Sequence, residues 1–93
     1  MQTFLVERDL TGISMADLHG MTAASLRHAA LMRHEGDRIY YLGSTFMPQQ
    51  GLCLCLYEAK DRAVVAALNQ LANLPSQRIV PAMTLAMPPV AIG

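Results

Sequence analysis

The most regular hydrophobic pattern in the chain covers residues 52–59, where leucines alternate with cysteines and then a tyrosine. Alternation with a period of two is typical of a β-strand, because successive side chains point to opposite faces of the sheet. Neither face of this strand is polar, so we expect both faces to be buried. Other elements of the same chain would cover one face, and a second chain would cover the other. The two faces would consist of Leu52, Leu54 and Leu56 on one side and Cys53, Cys55 and Tyr57 on the other.

Other periodicities predict two helices and three further strands. Small and apolar residues recur at helical spacing after Ser14, which suits an N-cap, and Gly36 suits the left-handed end of that helix. The short turn at 48–51 predicts an antiparallel hairpin between its flanking strands. Pro81 predicts either a bulge or an edge position for the last strand, because proline cannot donate a ladder hydrogen bond. The predicted strands are 3–10, 38–47, 52–59 and 77–86, and the predicted helices are 15–34 and 60–72.

The order β-α-β-β-α-β is that of the ferredoxin-like, or split βαβ, fold. Right-handed crossovers place both helices on one face of a four-stranded antiparallel sheet, which is an α+β architecture. We predict a single ferredoxin-like domain over residues 1–86 and an extended C-terminal tail over 87–93, where two prolines stop regular structure. The opposite sheet face is bare in one copy, so we expect two copies to pack together as a dimeric α/β barrel.

The composition of the bare face can be assigned from residue character. If the leucines of strand 52–59 face the helices, the bare face carries Leu5, Glu7, Cys53, Cys55 and Tyr57. Hydrophobic residues make up 53% of the chain and charged residues 15%, against a usual charged share of about 25%. So few charges would coat an isolated small domain poorly, which favours a homodimer through the open sheet face.

Charge and cysteine content argue against several classes of protein. Seven basic residues balance seven acidic ones without a basic cluster, which gives no electrostatic basis for binding nucleic acid or an anionic membrane. We find no signal-peptide pattern, and no apolar run reaches the roughly 18–20 residues of a membrane span. Two cysteines are too few for a disulfide framework, so we predict reduced thiols and a cytoplasmic location.

Three short motifs are spread over most of the chain: FLVER at 4–8, CLYEA at 55–59 and LPSQRI at 74–79. In this order they resemble a family of small bacterial proteins long grouped as a domain of unknown function, with at least one member described as nickel-binding. The resemblance implies a ferredoxin-like fold, a homodimer and a divalent metal such as nickel. It implies no defined reaction.

The chain departs from that family's pattern at positions that bear on a metal. The family often carries a histidine within the second helix, where this chain has Ala66, Ala67 and Leu68. Lys60 stands where the family frequently has proline. A metal site that relies on the second-helix histidine would be lost here.

Sulfur and carboxylate side chains provide the first candidates for a site. Cys53 and Cys55 are soft ligands, but a spacing of about 6.6 Å between their Cα atoms disfavours chelation, and packing as small hydrophobes is the alternative. Cys55 alone, with groups from other strands, is the better metal candidate. Glu7 lies mid-strand between apolar neighbours, so it either binds a cation or pairs with an arginine. Glu58 ends a strand just before a helix, where it could accept backbone N–H groups.

Aromatic and histidine side chains complete the candidate set. Tyr57 could line a pocket between the sheet and a partner or only pack the dimer seam. His28 lies nearest the apolar face of the first helix, with a surface position as the alternative. No nucleophile–base set, phosphate loop or zinc motif is present in the sequence.

We therefore predict a homodimeric ligand-binding protein without catalytic residues. The alternatives are a cofactor-independent dimeric α/β-barrel enzyme, of oxygenase or isomerase type on a small apolar substrate, and a purely structural accessory dimer. An enclosed cavity of roughly 300 Å³ would favour the enzyme, and a filled seam would favour the structural dimer. A divalent metal such as Ni²⁺ is the candidate cofactor, and the ligand or metal candidates are Glu7, Cys55, Tyr57, Glu58 and His28.

Overall fold

A computed structural model describes residues 1–85, which form a four-stranded antiparallel sheet and two helices. The elements are β1 (Gln2–Asp9), α1 (Met15–His34), β2 (Ile39–Met47), β3 (Leu52–Ala59), α2 (Arg62–Leu71) and β4 (Arg78–Ala82). The strand order across the sheet is β2-β3-β1-β4, and every neighbouring pair is antiparallel. This architecture confirms the predicted ferredoxin-like α+β fold. The predicted boundary at residue 86 and the predicted tail over 87–93 lie outside the described residues.

Both helices begin at a side chain that accepts a backbone hydrogen bond. The Ser14 hydroxyl accepts the N–H of Asp17 at 3.1 Å, and the Asp61 carboxylate accepts the N–H of Val64 at 3.1 Å. These caps satisfy backbone donors that have no partner inside the helix.

Neither helix described for residues 1–85 is long and apolar enough to cross a membrane.

The last strand is shorter than its predicted range of 77–86. Within the described residues β4 covers only Arg78–Ala82 and pairs only with β1. Its place at the sheet edge agrees with the presence of Pro81, which would break a ladder on a central strand.

The predicted assignment of faces is wrong for β3. Cys53, Cys55 and Tyr57 are buried beneath the helices, with exposed fractions of 1%, 4% and 0%, whereas the leucines of β3 are half-buried on the opposite face. The open face therefore keeps Leu5 and Glu7 from the predicted set and loses the thiols and the tyrosine.

The physical reason for this correction is the register between the two central strands. Tyr57 lies opposite Phe4, and Cys55 lies opposite Val6, so these four side chains share one face. The leucines of β3 share the other face with Leu5. Because a strand exposes every second residue to one face, the pairing rather than the apolar character of a side chain decides which face is covered.

A β-bulge in β2 changes which side chains reach the helix side. The pairing of β2 with β3 shifts between Tyr41 and Gly43, and Gly43 has a φ of +138°, a conformation that glycine adopts without steric cost. The shift places Ser44 opposite Cys55. Regular alternation from Tyr41 would have placed residue 43 on that side instead.

Candidate functional site

Arg8 is the central residue of the helix side of the sheet, and its side chain is fully buried. Its Nε donates to the sulfur of Cys55 at 3.3 Å, and its Nη2 donates to the hydroxyl of Tyr57 at 2.9 Å. Its Nη1 donates to the backbone carbonyl of Pro75 at 2.7 Å, in the segment before β4. The guanidinium thus ties β1 to β3 and to the loop that follows α2.

Hydroxyl groups extend this network outward to α1 and to the edge strand β2. The Ser25 hydroxyl of α1 shares a 2.9 Å hydrogen bond with the hydroxyl of Tyr57. On the other side, the Ser44 hydroxyl donates to the Cys55 sulfur at 2.9 Å. We refer to these linked side chains as the Arg8 cluster: Arg8, Ser25, Tyr41, Ser44, Cys55 and Tyr57, with Tyr41 hydrogen-bonded to Ser44.

The buried guanidinium has no carboxylate partner among residues 1–85. The ion pair found there joins Glu7 to Arg78 on the opposite sheet face. Burying an unpaired charge costs several kcal/mol, so Arg8 is compensated by hydrogen bonds to a thiol, a phenol and a carbonyl.

Burial also controls the protonation of the groups around Arg8. The pKa of the Tyr57 hydroxyl is raised by burial, against the opposing effects of the Ser25 hydrogen bond and the Arg8 charge. Burial raises the pKa of the Cys53 thiol to about 11, and the neighbouring Cys55 adds to the rise. Both groups therefore keep their protons at neutral pH.

The free space beside the Arg8 cluster is small. A cavity of about 10 Å³ is bounded by α1 and by the sheet, and Thr22, Ser44 and Cys55 contribute to its wall. This volume is close to the minimum that holds one water molecule. An organic ligand would need α1 to move away from the sheet before it could enter.

The opposite sheet face carries a much larger depression. A groove of about 420 Å³ is lined by leucines and by the bulged segment of β2. Several of these side chains remain half-exposed or exposed, which is unusual for neighbouring leucines on a small domain. We refer to this surface as the leucine face: Leu5, Leu42, Leu54 and Leu56, with Val80 beside Leu5 on β4.

The structure separates the site residues predicted from the sequence. Cys55 and Tyr57 belong to the Arg8 cluster, whereas Glu7 and Glu58 lie on the side of the leucine face. Glu7 pairs with Arg78, which is the arginine alternative considered for it. His28 is half-buried on α1 and takes no part in the Arg8 cluster. The five candidates therefore do not form one site within a protomer.

The donor set within one protomer does not fit a divalent metal. Residues 1–85 contain no group of three or more histidine, cysteine or acidic side chains arranged to hold an ion. The sulfurs of Cys53 and Cys55 are 3.8 Å apart, but the guanidinium of Arg8 donates to Cys55 and would repel a second cation. A metal site built on Cys55 is therefore not supported by this geometry.

The Arg8 cluster contains four residues outside the five predicted candidates, namely Arg8, Ser25, Tyr41 and Ser44. Arg8 continues the alternation of Phe4 and Val6, and that pattern was the signal that its side chain is buried. Ser25 lies among small residues on the sheet-facing side of α1, and nothing in the sequence distinguishes its hydroxyl group from those neighbours as a hydrogen-bonding partner. Ser44 could be placed only once the bulge in β2 was known.

Comparisons with known proteins agree with the fold. The chain is similar to SCO4226 from Streptomyces coelicolor A3(2), a solved crystal structure, with a TM-score of 0.73 and 22% identity. The match covers 90% of this chain and 99% of that one. No curated protein matches this chain in sequence. A family model described as "Nickel responsive protein SCO4226-like" matches residues 4–81, and the chain therefore belongs to the SCO4226-like family.

Proposed function

We propose that the protein is a homodimeric ligand-binding protein whose two copies pair through the leucine face. The observation that carries this proposal is the exposed apolar surface on the side of the sheet that the helices leave uncovered. An apolar patch of this kind on a small domain marks an interaction surface. A second copy is the partner that we propose for it, since the sheet presents the same apolar shape on each chain.

The size of the sheet is sufficient for a stable pair. Four strands at about 4.8 Å spacing, with a central strand about 26 Å long, present a flat area of about 500 Å². Two such faces together bury roughly 1,000 Å², which reaches the lower bound for a specific interface. The two grooves then meet in one interior, and each groove of about 420 Å³ lies within the range of small-molecule sites.

The proposed ligand is a small, mainly apolar molecule held between the two sheets. Leu54 and Leu56 supply the apolar wall, and Thr45 at the bulged end of the groove offers a hydroxyl group for orientation. The thiols and the buried tyrosine play no part in this interior, because they lie beneath the helices.

Nickel binding is the second candidate, and the family match over residues 4–81 favours it. Since the described residues of one protomer lack a suitable donor cluster, we propose that any nickel site uses donors from two copies. Glu7 and Glu58 are the candidates, because their strand positions place both carboxylates on the side that pairs.

Light scattering over a concentration series tests the homodimer. The expected result is the mass of two chains at micromolar concentration, with Leu54→Glu shifting the protein to one chain. Leu26→Glu is the matched control, because Leu26 is 57% exposed on α1, away from the proposed interface. A wild-type monomer, or equal effects of the two substitutions, would remove the proposal.

Calorimetric titration separates the two ligand classes. Protein prepared without a histidine tag is titrated with Ni²⁺ and, separately, with the apolar dye anilinonaphthalene sulfonate. Dye binding that Leu54→Glu abolishes supports the apolar interior, and nickel binding lost in Glu7→Gln supports the metal site. A dimer that binds neither probe would instead support a purely structural role.

A further inference from the structure

Cys53 and Cys55 form a close pair of thiols on the helix side of the sheet. They are the two cysteines of the chain, both are free, and their sulfurs are 3.8 Å apart. Residues two apart on a strand have Cα atoms about 6.6 Å apart, which lies at the upper end of the range that a disulfide can span. The pair can therefore be bridged by a modest movement of the two side chains.

The surroundings of the two sulfurs differ. Cys55 accepts hydrogen bonds from the Arg8 guanidinium at 3.3 Å and from the Ser44 hydroxyl at 2.9 Å. Both donors stabilise negative charge on sulfur, and the thiolate is the nucleophilic form of cysteine. Cys53 lies against the Cys55 sulfur and receives no hydrogen bond from Arg8, and burial favours its protonated form.

A small oxidant has a short path to Cys55. β2 is an edge strand, and Ser44, which is exposed, lies opposite Cys55 in the pairing of β2 with β3. The cavity of about 10 Å³ beside these residues has room for a molecule of the size of water. Hydrogen peroxide is only slightly larger, so a small opening between α1 and β2 would admit it.

From these observations we propose that Cys55 is a peroxide-oxidisable thiol and that Cys53 is its resolving partner. The Cys55 thiolate attacks one oxygen of a hydroperoxide, which gives a sulfenic acid and releases hydroxide or alkoxide. The Cys53 sulfur then attacks the sulfenic sulfur, and its proton leaves with the hydroxyl group as water. The product is an intramolecular disulfide, and two equivalents of a small thiol reduce it again.

This modification site lies on the helix side of the sheet, whereas the proposed ligand interior lies on the opposite side. Formation of the disulfide withdraws the Cys55 sulfur from Arg8 and Ser44, so the Arg8 cluster has to rearrange. Because the two cysteines sit at the limit of disulfide spacing, the bridge is strained and easily reduced. The pair is thus suited to reversible oxidation rather than to permanent cross-linking.

Mass spectrometry of the full chain after hydrogen peroxide treatment tests the proposal. The expected wild-type product is a monomeric chain lighter by two hydrogen atoms, and a small thiol restores the original mass. Cys53→Ser should stop at a sulfenic acid that dimedone traps, whereas Cys55→Ser should give neither product. Three results would overturn the proposal. They are native protein that stays reduced while free glutathione is consumed, a disulfide between chains, and dimedone labelling of Cys53.

A second variant tests the role of the donors without removing a buried charge. Ser44→Ala takes away one hydrogen bond to the Cys55 sulfur at an exposed position and should slow peroxide oxidation about three- to tenfold. Ser76→Ala, at another exposed serine, is the matched control and should leave the rate unchanged. Equal rates for the two variants would overturn the assignment of Cys55 as the activated thiol.

Discussion

The two faces of the sheet reverse the usual distribution of polar and apolar residues. The covered face contains a fully buried arginine and its hydrogen-bonded partners, while the uncovered face presents neighbouring leucines. A buried polar network is tolerated when each member has a partner, and every side chain of the Arg8 cluster has one within the chain. Exposed leucines have no such internal compensation. The comparison indicates that the first face holds the domain together, and it is the reason for our proposal that the second face contacts another molecule.

The largest expected effect tests whether the covered face depends on its buried charge. Arg8→Ala leaves a void and removes the donors to a thiol, a phenol and a carbonyl, so it should lower the free energy of unfolding by about 3–5 kcal/mol. Arg78→Ala is the matched control on the other face, where an ion pair with an exposed arginine contributes less than about 1 kcal/mol. Urea denaturation measures both. Similar losses for the two variants would contradict a structural role for the Arg8 cluster.

An intermediate effect is expected when a single hydroxyl group is removed. Tyr57→Phe leaves one guanidinium nitrogen and the Ser25 hydroxyl without their partner and should cost about 1–3 kcal/mol. Tyr40→Phe keeps the ring that stacks under Arg33 and should change stability by less than about 0.5 kcal/mol. Urea unfolding of the two variants measures the difference. A neutral Tyr57→Phe would mean that Arg8 finds other acceptors.

The smallest expected effect is a change of stability with pH. The folded protein raises the pKa of the Cys53 thiol from 9.0 to about 11, so the protonated thiol is favoured by folding. That contribution is complete below pH 9 and is lost as the pH rises toward 11. Cys53→Ala should flatten this alkaline decrease, although Tyr57, whose pKa is also raised, adds a further loss. An unchanged slope in the variant would show that Cys53 does not contribute.

Much of the fold followed from patterns along the chain. Strand alternation located the four strands, the Ser14 hydroxyl caps α1 as predicted, and Pro81 lies on an edge strand, one of the two positions predicted for it. The three sequence motifs likewise identified the family that the later comparison confirmed. These features are set by residues close together in the chain, so they can be predicted without knowing which elements pack together.

The site could not be predicted to the same degree because it depends on relations between elements. The face of Cys55 is decided by its pairing with Val6, and the arrival of Ser44 beside it is decided by a one-residue bulge. The burial of Arg8 was visible as a continued alternation, yet a charged residue is ordinarily assigned to solvent. Pairing register and bulges are set by the whole sheet, and residue character alone does not reveal them.

We propose that two copies meet through the leucine face. Isotope-filtered nuclear Overhauser measurements on a mixture of labelled and unlabelled protein detect contacts between chains directly. We expect such contacts from the methyl groups of Leu54 and Leu56 and none from the exposed Leu26 and Leu31 of α1. Contacts between chains that involve only the α1 leucines, or no contacts between chains at all, would contradict it.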